Sequence, residues 1–281
     1  MKPEFSILEP GRPIDGVHAE ERTRDTGYTV PTNHSHPYYE LYYLESGTCR
    51  FFIGGRMLDV RAGDLLMIPP RIMHYTRYLF GTCRRFNVFF RKKDLEAEVR
   101  AAFPEGDGFF SRWRLMQIPD FYRTAVNELL GRMTQEEKID DMRTPLLLKC
   151  RLHELMLVCS RVGLTHEELP ADIHTTDRVI VRAAEFMREH FREPLTAGEI
   201  AQQAGFSPNY LSRKFRQAAG IGVHDYLISL RLHQAALELV ETRDTVTEIA
   251  VRCGFSDGNY FKDCFRQHYG VSPRAYREGR E

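Results

Sequence analysis

The sequence predicts an α+β protein of more than one domain, with a small β-barrel in its N-terminal half and an all-α domain at its C-terminus. Three patterns carry this prediction: short apolar runs in residues 28–90, helical patterns in residues 120–163, and a repeat in residues 199–276. A chain of 281 residues is long enough for two domains. With 42% hydrophobic and 28% charged residues, it has the composition of a folded globular protein.

Charge and cysteine content narrow the class of protein. The 39 Lys and Arg residues are balanced by 39 Asp and Glu residues, so the composition alone does not indicate a bulk electrostatic nucleic-acid binder. The sequence has neither an apolar run long enough to span a membrane nor an apolar signal core, so we expect a cytoplasmic protein with no membrane partner. Six cysteines without a CxxC pair favour reduced thiols.

The N-terminal half alternates short apolar runs with turn-forming residues. The runs are residues 40–44, 49–53, 57–60, 64–68 and 83–90. Gly47, the Gly54-Gly55 pair, Gly63 and Pro69 lie between them. Many short strands at close spacing predict a small barrel or sandwich.

Histidines and a glutamate cluster within these predicted strands. On a strand without a bulge, His34, His36 and Glu40 point to one face, and Tyr42 keeps the same parity. His74 follows later in the chain. Imidazole and carboxylate together suit a divalent transition metal, and the same groups can hydrogen-bond a small effector.

The spacing of these residues resembles the two motifs of the cupin family. The first motif, H-x-H-x3-E-x6-G, is matched by His34, His36, Glu40 and Gly47. The second is matched by Gly63, Pro69 and His74, although Arg71 stands at its second glycine and Tyr78 at its final asparagine. The resemblance implies a cupin-like barrel in which His34, His36, Glu40 and His74 occupy the metal-ligand positions of metallocupins.

Three interpretations of this cluster stay open. A divalent metal such as Mn, Fe, Ni or Zn could be bound by His34, His36, Glu40 and His74. Alternatively, a metal-free barrel that requires no cofactor could bind an effector through His34, His36, Glu40, Tyr42 and His74, or the histidines could be satisfied within a core. Tyrosines at positions 38, 39, 42 and 43 would line the barrel mouth and suit a sugar or related polar metabolite, unless they pack against a neighbour.

The middle of the chain shows two helical patterns. Phe121, Ala125, Leu129 and Met133 recur every four residues, and residues 146–158 are apolar on more than one face. A helix that is apolar beyond one stripe needs a second packing partner. Residues 163–176 are polar, contain a proline and have no periodicity, so they predict an interdomain linker.

The C-terminal part contains two copies of one small unit. The segments 199–201 and 205–207 recur 49 residues later as 248–250 and 254–256. In each copy a short helix stops at a glycine, Gly205 or Gly254, and a second helix starts at Ser207-Pro208 or Ser256-Asp257. This is the helix-turn-helix pattern.

The second helix of each unit separates into an apolar and a polar face. Leu211 and Phe215 in the first copy, and Phe261 and Phe265 in the second, would face the core. The polar rows are Asn209, Ser212, Arg213 and Arg216, and then Asn259, Lys262, Asp263 and Arg266. Such helices fit the major groove, where Arg reads guanine, Asn reads adenine and Lys or Arg can neutralise phosphate. A single row would be an ordinary solvated face, but two equivalent rows favour double-stranded DNA.

Residues 225–241 predict a long helix that holds the two units rigidly, so that they could enter major-groove segments about 34 Å apart. Residues 174–278 resemble the DNA-binding domain of the AraC/XylS family of bacterial transcription regulators, above all in TVTEIAVRCGFSDGNYFKDCFRQHYGVSPRAYR. The resemblance places base-reading roles on Asn209, Ser212, Arg213, Asn259, Lys262 and Asp263. A basic residue is commoner at Asp263, and an acid there repels phosphate.

Together these resemblances imply an effector-responsive transcription regulator that is not an enzyme, forms a homodimer and contacts RNA polymerase. The expected domains are a cupin-like effector-binding domain (1–115), a helical dimerisation segment (116–165), a linker (166–176) and a double helix-turn-helix domain (177–281). The helical segment could instead pack against its own barrel. The rival from another class is a cupin metalloenzyme with an appended helical domain, and a third alternative is a constitutive repressor with a vestigial barrel.

Overall fold

A computed structural model describes most of the chain. It covers residues 14–26, 28, 35–53, 56–72, 74–162, 178–219 and 221–278. The predicted site residue His34 and the predicted linker 166–176 lie outside the described residues. Over the described part, no helix is long and apolar enough to cross a membrane.

The described residues form strands between positions 18 and 117 and α-helices from position 97 onward. The strands are β1 (His18–Arg24), β2 (Tyr39–Ile53), β3 (Arg56–Arg61), β4 (Asp64–Ile68), β5 (His74–Phe90) and β6 (Arg114–Gln117). The helices are α1 (Ala97–Ala101), α2 (Asp120–Ile139), α3 (Thr144–Arg161), α4 (Arg178–His190), α5 (Ala197–Ala204), α6 (Pro208–Ala219), α7 (Val223–Glu241), α8 (Val246–Arg252), α9 (Gly258–Tyr269) and α10 (Pro273–Glu278).

The six strands form one antiparallel sheet, in the order β1-β5-β2-β4-β6 with β3 beside β2. Gly47, expected between two strands, instead lies inside the 15-residue strand β2. Register shifts between Leu44 and Arg50 mark an irregularity there, and such bulges bend a strand. Gly47 has a φ of +91°, and a Cβ atom there would lie 2.7 Å from Cys83 Sγ. The glycine therefore allows the two long strands to pass closely where they bend.

The two faces of the sheet are buried in different cores. An interior core is formed by Tyr42, Leu44, Cys49, Phe51, Ile53, Leu58, Val60, Leu66, Ile68, Tyr78 and Cys83. The opposite face, which includes Tyr39, Leu41 and Tyr43, packs against residues of α2 and α3. The apolar residues of β2 between positions 41 and 44 thus alternate between the two cores, as strand geometry requires. We call residues 14–162 the sheet domain.

Helix α3 packs against its own sheet domain through one face and leaves another in water. Leu148, Leu152, Leu155, Met156 and Cys159 are buried in the outer core. Leu146, Leu147 and Leu157 are exposed. The predicted second apolar face is therefore present, and intramolecular packing uses only part of the helix.

The two repeated units are built with matching local signals. Each first helix begins with a capping box, formed by Thr196 and Glu199 in α5 and by Thr245 and Glu248 in α8. Each turn contains a left-handed glycine: Gly205 has a φ of +81° and Gly254 of +88°. These caps and glycines confirm the predicted helix, turn and helix in both copies.

Helix α7 joins the two units, beginning two residues before the predicted start. Its first half contributes Val223, Tyr226, Leu227 and Leu230 to the core of the first unit. Its second half contributes Leu232, Ala235, Ala236 and Leu239 to the core of the second. Arg231 donates hydrogen bonds of 2.7 Å to the carbonyl oxygens of Phe191 and Glu193, beyond the end of α4. One helix therefore fixes both units in a single body.

Candidate functional site

The polar rows predicted for DNA contact are exposed on α6 and α9. All eight side chains, Asn209, Ser212, Arg213, Arg216, Asn259, Lys262, Asp263 and Arg266, lie on the solvent side of these helices. The opposite faces are buried through Leu211 and Phe215 in α6 and through Phe261 and Phe265 in α9. Each row therefore lies on the face that a major groove could contact.

Local contacts orient the two helices differently at their starts. The Asp257 carboxylate accepts backbone hydrogen bonds from Asn259 and Tyr260 at the start of α9. On α6, the backbone of Tyr210 donates to Ser207 Oγ at 3.4 Å, and the guanidinium of Arg213 lies 5.7 Å from the ring centre of Tyr210. The Tyr210 ring thus makes a cation–π contact with Arg213, the residue predicted to read guanine.

A second candidate site lies inside the sheet domain, where His36, Glu40 and His74 converge. We call these three residues the histidine–glutamate cluster. Glu40 Oε2 lies 2.9 Å from His36 Nε2 and 3.2 Å from His74 Nε2. All three side chains are buried, and one ligand atom from each lies within 4.8 Å of the others. The cluster can hold a metal ion or bind polar groups of an effector.

The orientation of both imidazoles is fixed by the backbone. Nδ1–H of His36 donates to the Tyr38 carbonyl at 2.8 Å, and Nδ1–H of His74 donates to the Ile72 carbonyl at 2.9 Å. A carbonyl oxygen only accepts, so in each ring the other nitrogen faces Glu40. The structure thereby presets the direction in which each histidine can coordinate or hydrogen-bond.

Burial and hydrogen bonding act in opposite directions on the Glu40 carboxyl. Burial alone would raise the pKa of Glu40, but the hydrogen bonds and charges of His36 and His74 outweigh it and hold that pKa well below its usual value. Burial lowers the pKa of His36, with a smaller opposing effect from Glu40. Because Nδ1 of each ring already faces a backbone carbonyl, a hydrogen bond between Nε2 and Glu40 needs a further proton, so the three groups titrate as one coupled unit.

Sequence reasoning missed three further polar residues of the interior. The Asn87 side chain donates to Glu40 Oε1 at 2.6 Å, and Glu20 lies opposite Asn87 in the β1–β5 register. Arg85 is buried with its guanidinium 5.4 Å from the ring centre of Tyr42 and 3.4 Å from Glu20 Oε1. Among the described residues, Arg85 Nε and Nη1 and Asn87 Oδ1 have no hydrogen-bond partner. They are buried groups that a ligand could satisfy.

Two expectations about this site were wrong. His36 precedes β2 rather than lying on it, and it reaches Glu40 from the preceding loop. Tyr39 and Tyr43 do not line the interior, because strand alternation points them into the outer core. The hydroxyl of Tyr42 lies 3.3 Å from Cys49 Sγ, in the interior core.

Arg71 occupies a backbone conformation usual for glycine. Its φ is +65°, at the position where the second cupin motif has a glycine. A non-glycine residue in this region is strained by roughly 1–2 kcal/mol. The chain thus keeps the shape of the motif while replacing its residue, and the Arg71 guanidinium lies 5.0 Å from the ring centre of Tyr276 in α10.

Comparison with known proteins matches both halves of the chain. A profile described as an AraC-like ligand binding domain matches residues 17–156, and one described as a helix-turn-helix domain matches residues 200–279. Over 253 residues, the chain is 29% identical to the HTH-type transcriptional activator RhaS of Salmonella schwarzengrund (strain CVM19633), with 88% of each chain covered.

Two solved structures are similar to part of the chain. The C-terminal domain of AraT, a response regulator from Geobacillus stearothermophilus, is 35% identical with a TM-score of 0.36, covering 37% of this chain and 87% of that one. The DNA-binding domain of AdpA in complex with a target DNA is 30% identical with a TM-score of 0.35, covering 37% and 93%.

Proposed function

Because the chain belongs to the AraC family of transcription regulators, we propose that it activates transcription by binding double-stranded DNA through α6 and α9 and a small effector through its sheet domain. One observation carries the DNA half: two equivalent rows of exposed polar side chains lie on one body held together by α7. We assign base contacts to Asn209, Ser212, Arg213, Asn259, Lys262 and Asp263, and phosphate contacts to Arg216 and Arg266.

The two units contribute unequally in this proposal. The row on α6 carries Arg213 and Arg216, whereas the row on α9 carries Lys262 and Arg266 together with the acidic Asp263. A carboxylate repels phosphate, although it can accept a hydrogen bond from cytosine N4. The first unit therefore supplies more of the electrostatic affinity.

Selection of duplexes from a random-sequence library by the wild-type protein tests the DNA half. Binding of the selected duplex is then measured by fluorescence anisotropy at fixed salt. Arg213→Ala should lose about 1–3 kcal/mol on the selected duplex and less on random DNA. Arg182→Ala, an equal charge change at an exposed position of α4, is the control. Equal losses for both variants, or no selected sequence, would contradict the proposal.

For the effector we propose the interior of the sheet domain, where His36, Glu40, His74, Arg85 and Asn87 place buried polar groups close to Tyr42. His34, assigned to the same site from the sequence, lies outside the described residues. Donor and acceptor groups in a buried setting suit a sugar or related polar metabolite. A thermal-shift screen of sugars and metabolites tests it, since a bound ligand stabilises the folded state by mass action. A hit that also stabilises Glu40→Gln as strongly as wild type would place binding elsewhere.

A divalent transition metal in the same cluster is the second candidate ligand. Both Nε2 atoms face one carboxylate oxygen at 2.9 and 3.2 Å, close to the separations of about 3.0 Å and about 3.4 Å expected for octahedral and tetrahedral ligands with bonds of about 2.1 Å. Two imidazoles and a carboxylate are also a suitable donor set. His36, Glu40 and His74 would hold the ion, which would supply a positive charge for effector oxygens.

Elemental analysis of protein purified without chelators or nickel resin tests the metal. Stoichiometric metal in the wild type that is absent from His74→Ala supports it. Absence of metal in the wild type, also after incubation with Mn, Fe, Ni or Zn salts, leaves the metal-free effector site and excludes the metal.

The remaining parts of the proposal concern assembly. We propose a homodimer formed through the exposed apolar side chains of α3, and a contact with RNA polymerase once DNA is bound in the cytoplasm. The relatives are transcriptional activators, and we propose that the chain catalyses no reaction. Binding of effector would then change the placement of the two DNA-binding bodies in the dimer.

A further inference from the structure

One end of the sheet domain packs directly against the first helix-turn-helix unit. Met57, Phe52 and Tyr75 are cross-strand neighbours on β3, β2 and β5. All three belong to the same buried cluster as the core of the first unit. The ring of Phe52 meets that of Tyr226 edge-on, with 6.3 Å between centroids. This packing brings β5 close to the helix that we assign to DNA reading.

The next cross-strand row on the same face is charged. It contains Asp59, Arg50 and Arg77. Arg50 uses both Nε and Nη2 to donate to the Asp59 carboxylate, at 2.7 and 3.1 Å. The acid of this row is therefore already paired with Arg50. Arg77 donates to the Tyr75 hydroxyl at 3.5 Å, and no ion pair involving Arg77 is found within the described residues.

Arg77 shares a cavity with the polar row of α6. The cavity has a volume of about 730 Å³ and lies between β5, α6 and the start of α7. Its charged and polar lining includes Arg77, Ser212, Arg213, Arg216, His224 and Asp225. Three guanidinium groups thus face one carboxylate. Within the part of the chain that the structure describes, Arg213 and Arg216 also form no ion pair.

Three arginines against the one carboxylate of Asp225 leave the cavity with a net positive charge, so a further anion would be attracted to it. Double-stranded DNA carries a phosphate charge for about every 1.7 Å of its axis. Any duplex read by Arg213 must place its backbone close to that helix, where Arg216 and Arg77 are found. The anion that these side chains favour is therefore a DNA phosphate.

We propose that Arg77 of the sheet domain binds a backbone phosphate beside the first recognition helix. The domain that binds effector is then itself part of the DNA-binding surface. This inference rests on the proposed DNA contact by α6, and it adds a sequence-independent contact from outside the two helix-turn-helix units. A contact of this kind also gives an effector-induced movement of the sheet domain a direct route to DNA affinity.

The test compares full-length variants on two duplexes, one selected by the wild type and one of random sequence. Binding is measured by anisotropy between about 50 and 200 mM KCl. Arg77→Met should weaken both duplexes to the same extent, roughly five- to tenfold at about 0.1 M salt, and should reduce the slope of log K against log salt by about 0.9. Arg77→Lys should retain the slope. Arg112→Met, which removes an exposed charge elsewhere on the sheet domain, should match wild type.

Two further variants separate phosphate binding from other causes. Tyr75→Phe removes the hydroxyl that contacts Arg77 but keeps the guanidinium, so its slope should equal that of wild type. A slope loss in Tyr75→Phe equal to that in Arg77→Met would assign the effect to domain packing and overturn the proposal. An unchanged slope in Arg77→Met would also overturn it. Failure of the proposed DNA contact by α6 would give a different result. In that case Arg213→Ala would not lose more affinity for the selected duplex than for the random one.

Discussion

Asn87 and Glu40 are joined by a hydrogen bond of 2.6 Å between the Asn87 side-chain amide and Glu40 Oε1. The other oxygen of the carboxylate faces His36 at 2.9 Å. Both oxygens are thus engaged by groups from different parts of the chain, which fixes the plane of a buried charge. Strand β5 therefore controls the geometry of the histidine–glutamate cluster through two residues, His74 and Asn87.

Replacing Asn87 with leucine should destabilise the sheet domain. The change removes the donor to a buried carboxylate oxygen, and a buried charged group without its partner costs about 1–3 kcal/mol or more. Urea unfolding at pH 7, followed by circular dichroism, measures the change. Asn259→Ala, at an exposed position of α9, should stay within about 0.5 kcal/mol. Equal stabilities of Asn87→Leu and wild type would contradict the structural role of this hydrogen bond.

The equivalent glycines of the two turns should differ in their tolerance of alanine. Both have positive φ angles, so alanine costs roughly 1–2 kcal/mol at either position. A Cβ atom at Gly205 meets nothing within 4 Å, whereas at Gly254 it would lie 2.8 Å from the Phe191 carbonyl oxygen. We expect Gly254→Ala to lower the unfolding free energy clearly more than Gly205→Ala does. Thermal unfolding of both variants checks this, and the reverse order would contradict the packing at Gly254.

His18 should make the stability of the sheet domain depend on pH. Its ring donates to Glu137 at 2.7 Å and to the Asp15 carbonyl at 3.1 Å. The hydrogen bond to Glu137 raises the pKa of His18 above its usual 6.5, against the effect of burial and with help from the charges of Glu137 and Asp140. The stabilisation is fully present below about pH 6.5 and is lost as the pH rises through the raised pKa.

The variant His18→Gln should remove this dependence. Because the His18 side chain is 28% exposed, the difference between variant and wild type should be about 1 kcal/mol or less. The unfolding free energies of the two proteins are compared by urea unfolding at about pH 5.5, 6.5, 7.5 and 8.5, which cover the usual histidine pKa and values above it. The wild type should lose its advantage at the upper end of this range. A constant difference at every pH would refute the assignment to His18.

Leu146 offers a direct test of the proposed dimer. Its side chain is 66% exposed on α3, so Leu146→Lys should leave the unfolding temperature of the monomer unchanged but dissociate a dimer that uses this face. Sedimentation at several protein concentrations measures the oligomeric state. Leu148→Lys, only 2% exposed two residues away, should instead unfold the sheet domain. A Leu146→Lys protein that sediments as the wild type does would exclude this interface.

Local signals explain why the C-terminal part was predictable from the sequence. Thr196 and Glu199 cap a helix three residues apart, and Gly205 ends it, so the signals lie within one short segment. The interior site depends instead on which strands pair. Glu20 and Asn87 become neighbours only through the β1–β5 register. The local sequence around each residue does not indicate that these two strands pair.

The remaining differences arise where a local sequence pattern allows more than one structure and contacts elsewhere in the fold decide between them. Gly47 is a common turn residue, but here a bulge lets one strand continue through it, so a local rule divided β2 in two. Tyr39 and Tyr43 were assigned to the wrong face because aromatic residues suit a ligand site and a packed core equally well. The contact of Phe52 with Tyr226 depends on two surfaces far apart in sequence.

Because Phe52 contacts Tyr226, the two helix-turn-helix units differ in which parts of the chain form their cores. The core of the first unit includes Phe52, Met57 and Tyr75 from the sheet domain, whereas the core cluster of the second unit contains only residues from 232 onward. A fragment starting at residue 178 would leave apolar surface around Tyr226 open to water. We expect such a truncation to aggregate or to protect its first unit poorly in hydrogen exchange, while its second unit remains protected. The two copies of the repeat thus differ: apolar residues of the sheet domain complete the core of the first copy, whereas the second is contacted from that domain by the Arg71 guanidinium over Tyr276.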